Sequence, residues 1–336
     1  MIKILLRYTN LLVLTLLVVV IFSFALAYLF PGDPFTNLTG IVDEQAAMAH
    51  QNLSITAAFW EYLRNIFYGN WGLSLMTGQS LADEIAITLP ATLELSLYAL
   101  VFALLIGLPI GFWSGLKPHK AVDYSVLGAS AVMHSFPVFW LAMLLVLIFS
   151  LQFGWLPMSG RLNLLMDVPN VTGFMFIDII LAEGIDRSES IWDAIKHLAL
   201  PTFCVSIITM ATIIRAVRRS TLEVMHKPYI IAAQSRGLSN AQIFLKHGFR
   251  NAILPILPIL AMQVTTIITN VMIVESIFSW PGIGNWLLQA IYQQDYPAIR
   301  AGMLAVAAAV IVVTIFIELF NRIIDPSREK FEDVAF

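Results

Sequence analysis

Apolar positions along the chain gather into six long runs, at about residues 10–30, 91–113, 124–151, 198–214, 252–274 and 301–320, separated by polar stretches of very unequal length. About 20 apolar residues carry a helix across the hydrocarbon layer of a bilayer. Backbone groups inside lipid must be satisfied within their own segment, so the runs predict six transmembrane helices and not strands. The expected fold class is therefore all-α, a polytopic membrane protein. The run at 198–214 is the shortest of the six. The apolar stretch at 174–182 carries Asp178 and is too short to cross, so it is placed outside the bilayer.

Breakers interrupt several runs: Gly107 with Pro109, Pro137, and Pro255 with Pro258. In a membrane helix such residues are tolerated where they face protein or a cavity, and they predict kinks. The first run follows Lys3 and Arg7, and Ala25-Leu26-Ala27 resembles a signal-peptidase site. Its apolar length exceeds a signal core and more spans follow, so it is read as a retained first span.

Composition excludes a water-soluble domain. Of 336 residues, 59% are hydrophobic and 12% charged, against about a quarter charged in soluble proteins. With the N-terminus inside, fourteen Lys and Arg fall on the cytoplasmic side: Lys3, Arg7, Lys117, Lys120, Arg215, Arg218, Arg219, Lys227, Arg236, Lys246, Arg250, Arg322, Arg328 and Lys330. Five fall outside: Arg64, Arg161, Arg187, Lys196 and Arg300. The positive-inside rule then predicts both termini in the cytoplasm. The single cysteine, Cys204, sits in the fourth run and reads as a small core residue.

Three regions follow from this layout: residues 1–30 with the first span, an outer segment at 31–90, and a core at 91–336 with a cytoplasmic insert at 215–253. In the outer segment Phe59, Trp60, Leu63, Ile66 and Phe67 recur at helical spacing with Glu61 and Arg64 off that face. This predicts a short helix in the outer interface, with Trp60, Tyr68 and Trp71 at headgroup depth. A helix packed on other loops is the alternative.

The insert is the most informative stretch. About forty structured residues between adjacent spans suggest that something docks there. Pro228 has the fixed φ of a first helical turn, Tyr229 to Arg236 supply about two turns, and Gly237 is a left-handed stop. Ser239 with Gln242 then forms a capping-box pattern that opens a return helix carrying Ile243, Phe244, Phe249 and Ile253. Ala232 and Ala233 leave room for a partner to approach closely. A loop whose basic residues bind anionic lipid headgroups explains the charge but not the paired helix signals.

Here the chain resembles a known family. Ala232-Ala233 followed by Gly237 is similar to the EAA loop of ABC-transporter permeases, the coupling helix that fits a groove on the ATPase subunit. Ile231 stands where that motif has an acidic residue, and eighteen positions separate Gly237 from Pro255. Both features resemble the peptide-transporter branch. Pro31-Gly32-Asp33-Pro34, Leu89-Pro90-Ala91-Thr92-Leu93-Glu94, Pro137-Val138-Phe139-Trp140, Gly154-Trp155-Leu156-Pro157, Ser159-Gly160-Arg161, Arg250-Asn251-Ala252-Ile253-Leu254-Pro255 and the run from Glu275 to Gly284 agree as well. The chain is identified as similar to the B-type permeases of dipeptide/oligopeptide (Dpp/Opp/Sap) ABC transporters, most similar to the Sap branch.

The resemblance implies the type I importer (MetI-like) permease fold and a non-catalytic subunit of the bacterial inner membrane. It implies a second, homologous C-type permease, two ABC ATPase subunits that bind ATP and Mg, and a periplasmic substrate-binding protein. Tyr229, Ile231, Ala232, Ala233, Arg236, Gly237, Leu238 and Ser239 would contact the ATPase. Peptides are the implied substrates, with cationic peptides or polyamines such as putrescine admitted by the Sap branch. Membrane lipid is an expected partner and nucleic acid is not.

No Walker A pattern occurs, so no phosphate cradle is expected on this chain. The six histidines are scattered, and no metal centre is expected. Ser130 with His134 faintly suggests an intramembrane protease, but small residues for close helix packing explain that run better. Glu94, Glu275 and Glu318 are costly in lipid and should face protein or water. An ion-coupled secondary transporter would use such carboxylates as ion sites; interfacial anchoring is the plainer reading. Glu94 and Glu275, with Arg161 and Trp280, are expected near the outer mouth of a substrate path.

Overall fold

The computed structural model describes residues 2–324, with the side chains of residues 2–5, 240 and 241 outside that description. The Lys3 side chain, Arg328, Lys330 and the end of the 91–336 region therefore lie outside it. The regular secondary structure of the described residues is helical, apart from one isolated β-bridge between Leu73 and Ser80. In order they are α1 (Ile2–Leu29), α2 (Pro34–Thr39), α3 (Glu44–Gln51), α4 (Ile55–Phe67), α5 (Leu81–Leu116), α6 (Ala121–Ser135), α7 (Val138–Leu145) and α8 (Met175–Leu181). They continue with α9 (Arg187–Met225), α10 (Pro228–Ser235), α11 (Asn240–Ile243), α12 (Phe249–Ile253), α13 (Leu257–Ile277), α14 (Ile283–Tyr292) and α15 (Tyr296–Ile324).

Five helices are long and apolar enough to cross a membrane: α1, α5, α9, the run Phe244–Ile277 and α15. A sixth candidate is the pair formed by α6 and the run Val138–Gln152. That pair bends by 95° at Ser135–Pro137, at the breaker that Pro137 supplies. Phe136, the residue before the proline, is extended (φ −93°, ψ 129°), the conformation that the proline ring imposes on its predecessor. Phe136 and Trp140 then stack across the corner with ring centres 5.0 Å apart.

The fourth run, shortest by composition, belongs to the longest helix: α9 has 39 residues with Pro201 inside it. It is also the candidate span most buried within its own chain. A helix surrounded by protein need not be lipophilic all round, so Thr202, Ser206 and Thr209 are buried in it and make it the least apolar of the five long candidate spans. α5 likewise runs unbroken through Gly107 and Pro109. At about 1.5 Å per residue both helices exceed the roughly 30 Å hydrocarbon layer.

The chain divides into two compact units that do not follow consecutive regions of sequence. The first comprises residues 1–94, 159–197 and 275–315, and the second 95–158, 198–274 and 316–336. The segments that follow the first, third and fifth spans therefore share one unit. Those that follow the second and fourth share the other.

In the first unit, α4 packs on α1 and α2 through Phe24, Ala27, Leu38, Ala58 and Tyr62. A second cluster, Leu81, Ile85, Ile283, Ala290, Ala298 and Ala301, joins α5, α14 and α15, and Trp71 packs against it. Trp71 is thus packed against a core, whereas Trp60 is exposed. α8 is a seven-residue helix set by its own carboxylate: Asp178 accepts from Thr172 N and Oγ1, both at 2.7 Å, and from Gly173 N at 3.1 Å.

In the second unit, Gly107, Gly111 and Gly115 lie four residues apart along α5. A Cβ on each would come within 2.7–3.0 Å of Ile213, Val217 and Thr221, which are also four apart, on α9. Glycine's missing side chain lets the two backbones approach closely. These glycines are contacts and not breakers.

Candidate functional site

The insert folds as its residues direct. Lys227 is extended before α10, Pro228 opens the helix, and Arg236 ends it. Gly237 takes φ +81°, a left-handed conformation that side chains resist, with open space where a Cβ would stand. Ser239 and Gln242 form the reciprocal cap: Gln242 N donates to Ser239 Oγ at 3.3 Å, and Ser239 N donates to Gln242 Oε1 at 3.0 Å.

α10 is held against the return segment by one face. Ile230 and Ala233 are buried with Ile243, and Met225 packs against them. Asn251 Nδ2 donates to the Tyr229 hydroxyl at 3.1 Å, tying the first turn of α10 to α12. At 100° per residue, Ile230 and Ala233 define the inner face, and Ile231 and Ala232 flank the centre of the outer one. Tyr229, Ile231, Ala232, Arg236, Leu238 and Ser239 are all exposed.

The alanine pair thus divides its work: Ala232 leaves a shallow outer surface, and Ala233 lets α10 sit close to Ile243. The expected contact through Ala233 is not available, because its side chain is turned inward. Among the return-helix residues, Phe244 and Phe249 pack on Phe112 with ring centres at 5.1 and 5.3 Å.

Sequence reasoning missed what steadies this region. Asp123 was not singled out, and Arg218 was counted only as a topogenic charge. Asp123 is buried, and its carboxylate accepts from Arg218 at 2.5 and 2.7 Å, from Ser114 Oγ at 2.6 Å and from His119 N at 3.0 Å. The group pins the turn between α5 and α6 to α9. A buried aspartate at a helix start, with a Ser nine residues earlier, is the only local signal; the Arg lies 95 residues away.

In the first unit the four residues expected at an outer mouth do meet, but they are closed in. Glu94 is 1% exposed, Arg161 7%, Glu275 0% and Trp280 1%. Arg161 forms an ion pair with Glu94, donates to Gly173 O at 2.7 Å and lies over the Trp280 ring at 5.6 Å. Trp280 Nε1 donates to Ala91 O at 3.1 Å. Glu275 accepts from Thr92 Oγ1 at 2.5 Å and from the Gly284 and Asn285 amides at the start of α14, at 2.8 and 3.2 Å. An anion there is favoured by the unpaired amides of the helix N-terminus.

The arrangement corrects the expectation that these residues face a passing substrate. Each is satisfied by its own chain, and together they clasp the segment Ala91–Glu94. It also explains the Trp-Pro-Gly-Ile-Gly run: a Cβ on Gly282 would collide with the Glu275 carboxylate. Ser130, the residue behind the protease alternative, donates its hydroxyl to Val126 O at 2.8 Å.

Six candidate spans, a buried ionic clasp and an exposed helix–turn element define a multi-pass helical membrane protein. The family profile described as "Binding-protein-dependent transport system inner membrane component" matches residues 107–330. The chain is 38% identical over 327 residues to the di/tripeptide transport system permease protein DppB of Pseudomonas aeruginosa, covering 95% of this chain and 96% of that one. It is also 38% identical over 325 residues to the putrescine export system permease protein SapB of Escherichia coli K12, covering 97% of each. The dipeptide transport system permease protein DppB of the same E. coli strain is 31% identical over 336 residues, covering 97% of this chain and 98% of that one.

The chain belongs to the family of binding-protein-dependent transport system permeases. Members work as one component of a transport system with other subunits. Equal identity to a Dpp and a Sap permease leaves the two branches unseparated by identity alone.

Proposed function

We propose that this chain is the B-type permease of an ABC transporter that moves di- or oligopeptides, or cationic peptides, across the bacterial inner membrane by ATP-driven alternating access. Its termini face the cytoplasm, residues 31–90 form a periplasmic segment, and residues 91–336 form the permease core with the coupling insert at 215–253. A homologous C-type permease completes the path, two ATPase subunits carry ATP and Mg, and a periplasmic binding protein delivers substrate. This chain itself catalyses nothing.

The observation that carries the reading is the exposed outer face of α10. A two-turn helix braced from behind by Ile230, Ala233 and Ile243 presents Tyr229, Ile231 and Ala232 to solvent, and the turn after it presents Leu238. Apolar side chains held outward on a braced element fit a protein groove better than water. Force on that face passes through Ile243 and Asn251 into the helix leading to the fifth span. The basic residues around it, Arg236, Lys246 and Arg250, match an acidic rim.

Polyamine transport is the second reading, favoured by the putrescine export name of the equally similar SapB relative. An ion-coupled carrier loses its support, since Glu94 and Glu275 are saturated by their own chain.

The test is Ala232→Trp in the transporter purified through a tag on this chain. The variant adds bulk to an exposed position and leaves the inner packing intact. Loss of the nucleotide-binding subunits from the purified complex, with this chain still folded in the membrane, is the expected result. Stoichiometric ATPase subunits and undiminished transport would reject the assignment.

A further inference from the structure

α4 divides into three sectors around its axis, and only two are accounted for by this chain. Taking 100° per residue, Ala58, Phe59, Tyr62 and Ile66 face inward on α1. Glu61, Arg64 and Asn65 make a polar sector. Between them Thr56, Trp60 and Phe67 form a third sector that is apolar and uncovered, with Trp60 67% and Phe67 81% exposed. A helix packed on its own chain and otherwise bathed in water would carry polar residues over the whole of its remaining surface.

The depth of α4 is given by what it touches. Tyr62 OH lies 2.8 Å from Ser23 Oγ, and Phe59 meets Phe24 edge-on at 5.3 Å. Ser23 is six residues before the end of α1 at Leu29, about 9 Å along the axis. An interfacial helix sinks its apolar face to such a depth, roughly 5–10 Å. α1 exposes Val18, Ile21, Phe22 and Leu29 over the same turns, so the uncovered sector of α4 continues a surface that a spanning helix offers to lipid.

We propose that α4 is an interfacial anchor, its Trp60–Phe67 sector sunk in the phospholipid boundary layer and its Glu61–Arg64 sector facing water. The anchor is tied to the last helix. Arg300 of α15 is 1% exposed and donates to Tyr62 OH at 2.8 Å, to Leu38 O at 3.0 Å and to Trp71 O at 2.8 Å. The bilayer surface therefore holds α1 and α15 through one short helix, whatever the substrate.

Site-directed spin labelling tests this on the purified transporter in phosphatidylethanolamine–phosphatidylglycerol liposomes. Trp60→Cys, Phe67→Cys, Glu61→Cys and Arg64→Cys are made in a Cys204→Ser background, with Thr56→Cys as the substitute should an aromatic replacement disturb folding. Labels at 60, 67 or 56 are expected to collide several-fold more with oxygen than with a water-soluble nickel chelate, and labels at 61 and 64 the reverse. Equal access of all positions to the chelate would place the helix in water and overturn the proposal. Shielding of 60, 67 and 56 from both reagents would show a protein neighbour in place of lipid, and would overturn it equally.

Discussion

Removing the Arg161 side chain should cost more stability than removing both it and its partner. Arg161→Met keeps much of the stem that covers Trp280 but strands the Glu94 carboxylate at 1% exposure, together with Gly173 O, which receives the 2.7 Å bond. Breaking a buried pair from one side costs about 3–5 kcal/mol, because the remaining charge loses its compensation. The orphaned carbonyl adds about 1–3 kcal/mol if no water reaches it. The two losses share one guanidinium and do not add fully, so about 4 kcal/mol is expected. In the double variant Arg161→Met with Glu94→Leu no charge is left to strand, and replacement of a buried pair by apolar residues is often neutral. The double variant should therefore recover most of the loss, to within about 1–2 kcal/mol of the parent. Reversible unfolding in mixed dodecylmaltoside–dodecyl sulfate micelles, followed by tryptophan fluorescence, measures all four corners of the cycle. A single variant within about 1 kcal/mol of the parent would show that water already reaches the pair. A double variant as unstable as the single one would show that the clasp acts through shape and not charge.

Two further perturbations separate close packing from propensity. Gly111→Ala should destabilise by about 1–3 kcal/mol although alanine is the better helix former by about 1 kcal/mol, because its Cβ would stand 2.7 Å from Val217 Cβ and 2.9 Å from Ile214 O. Gly128→Ala, with nothing within 4 Å of its Cβ, should be neutral or slightly stabilising in the same unfolding assay; equal losses at both sites would refute the account. Asp123→Asn keeps the shape but removes the charge that Arg218 grips in two bonds. It should cost about 1.5–3 kcal/mol and raise amide exchange in the turn at residues 117–120, and unchanged exchange there would rule out the pinning role.

Much of the candidate site was legible from local rules. Pro228, Gly237 and the Ser239–Gln242 cap act within a few residues of themselves, and the helix–turn–helix they predict is the one found. Which alanine faces outward was not legible, because that depends on where Ile243 comes to rest. The acidic residues show the same limit from the other side. Glu94 and Glu275 were recognisable as costly in lipid, yet their partners lie 67 and 183 residues away in Arg161 and Thr92, and nothing near either glutamate announces them. Helix α4 was half legible: its aromatic residues are periodic, but the structure sends Phe59 and Ile66 inward, keeps Trp60 and Phe67 outward and packs Trp71 on another core.

From the amino-acid sequence alone came the helical class of fold and the apolar runs that supply its five or six candidate spans, since apolar run length and the cost of unpaired backbone in lipid leave few alternatives. The position and local shape of the insert came from the same source, through proline, glycine and capping chemistry. Tertiary structure alone decided that the least apolar run is the most enclosed helix, and that the glutamates are clasped and not open. In each case the deciding energy is a contact between residues far apart in the chain, where burial replaces solvent by a specific partner that no local pattern encodes.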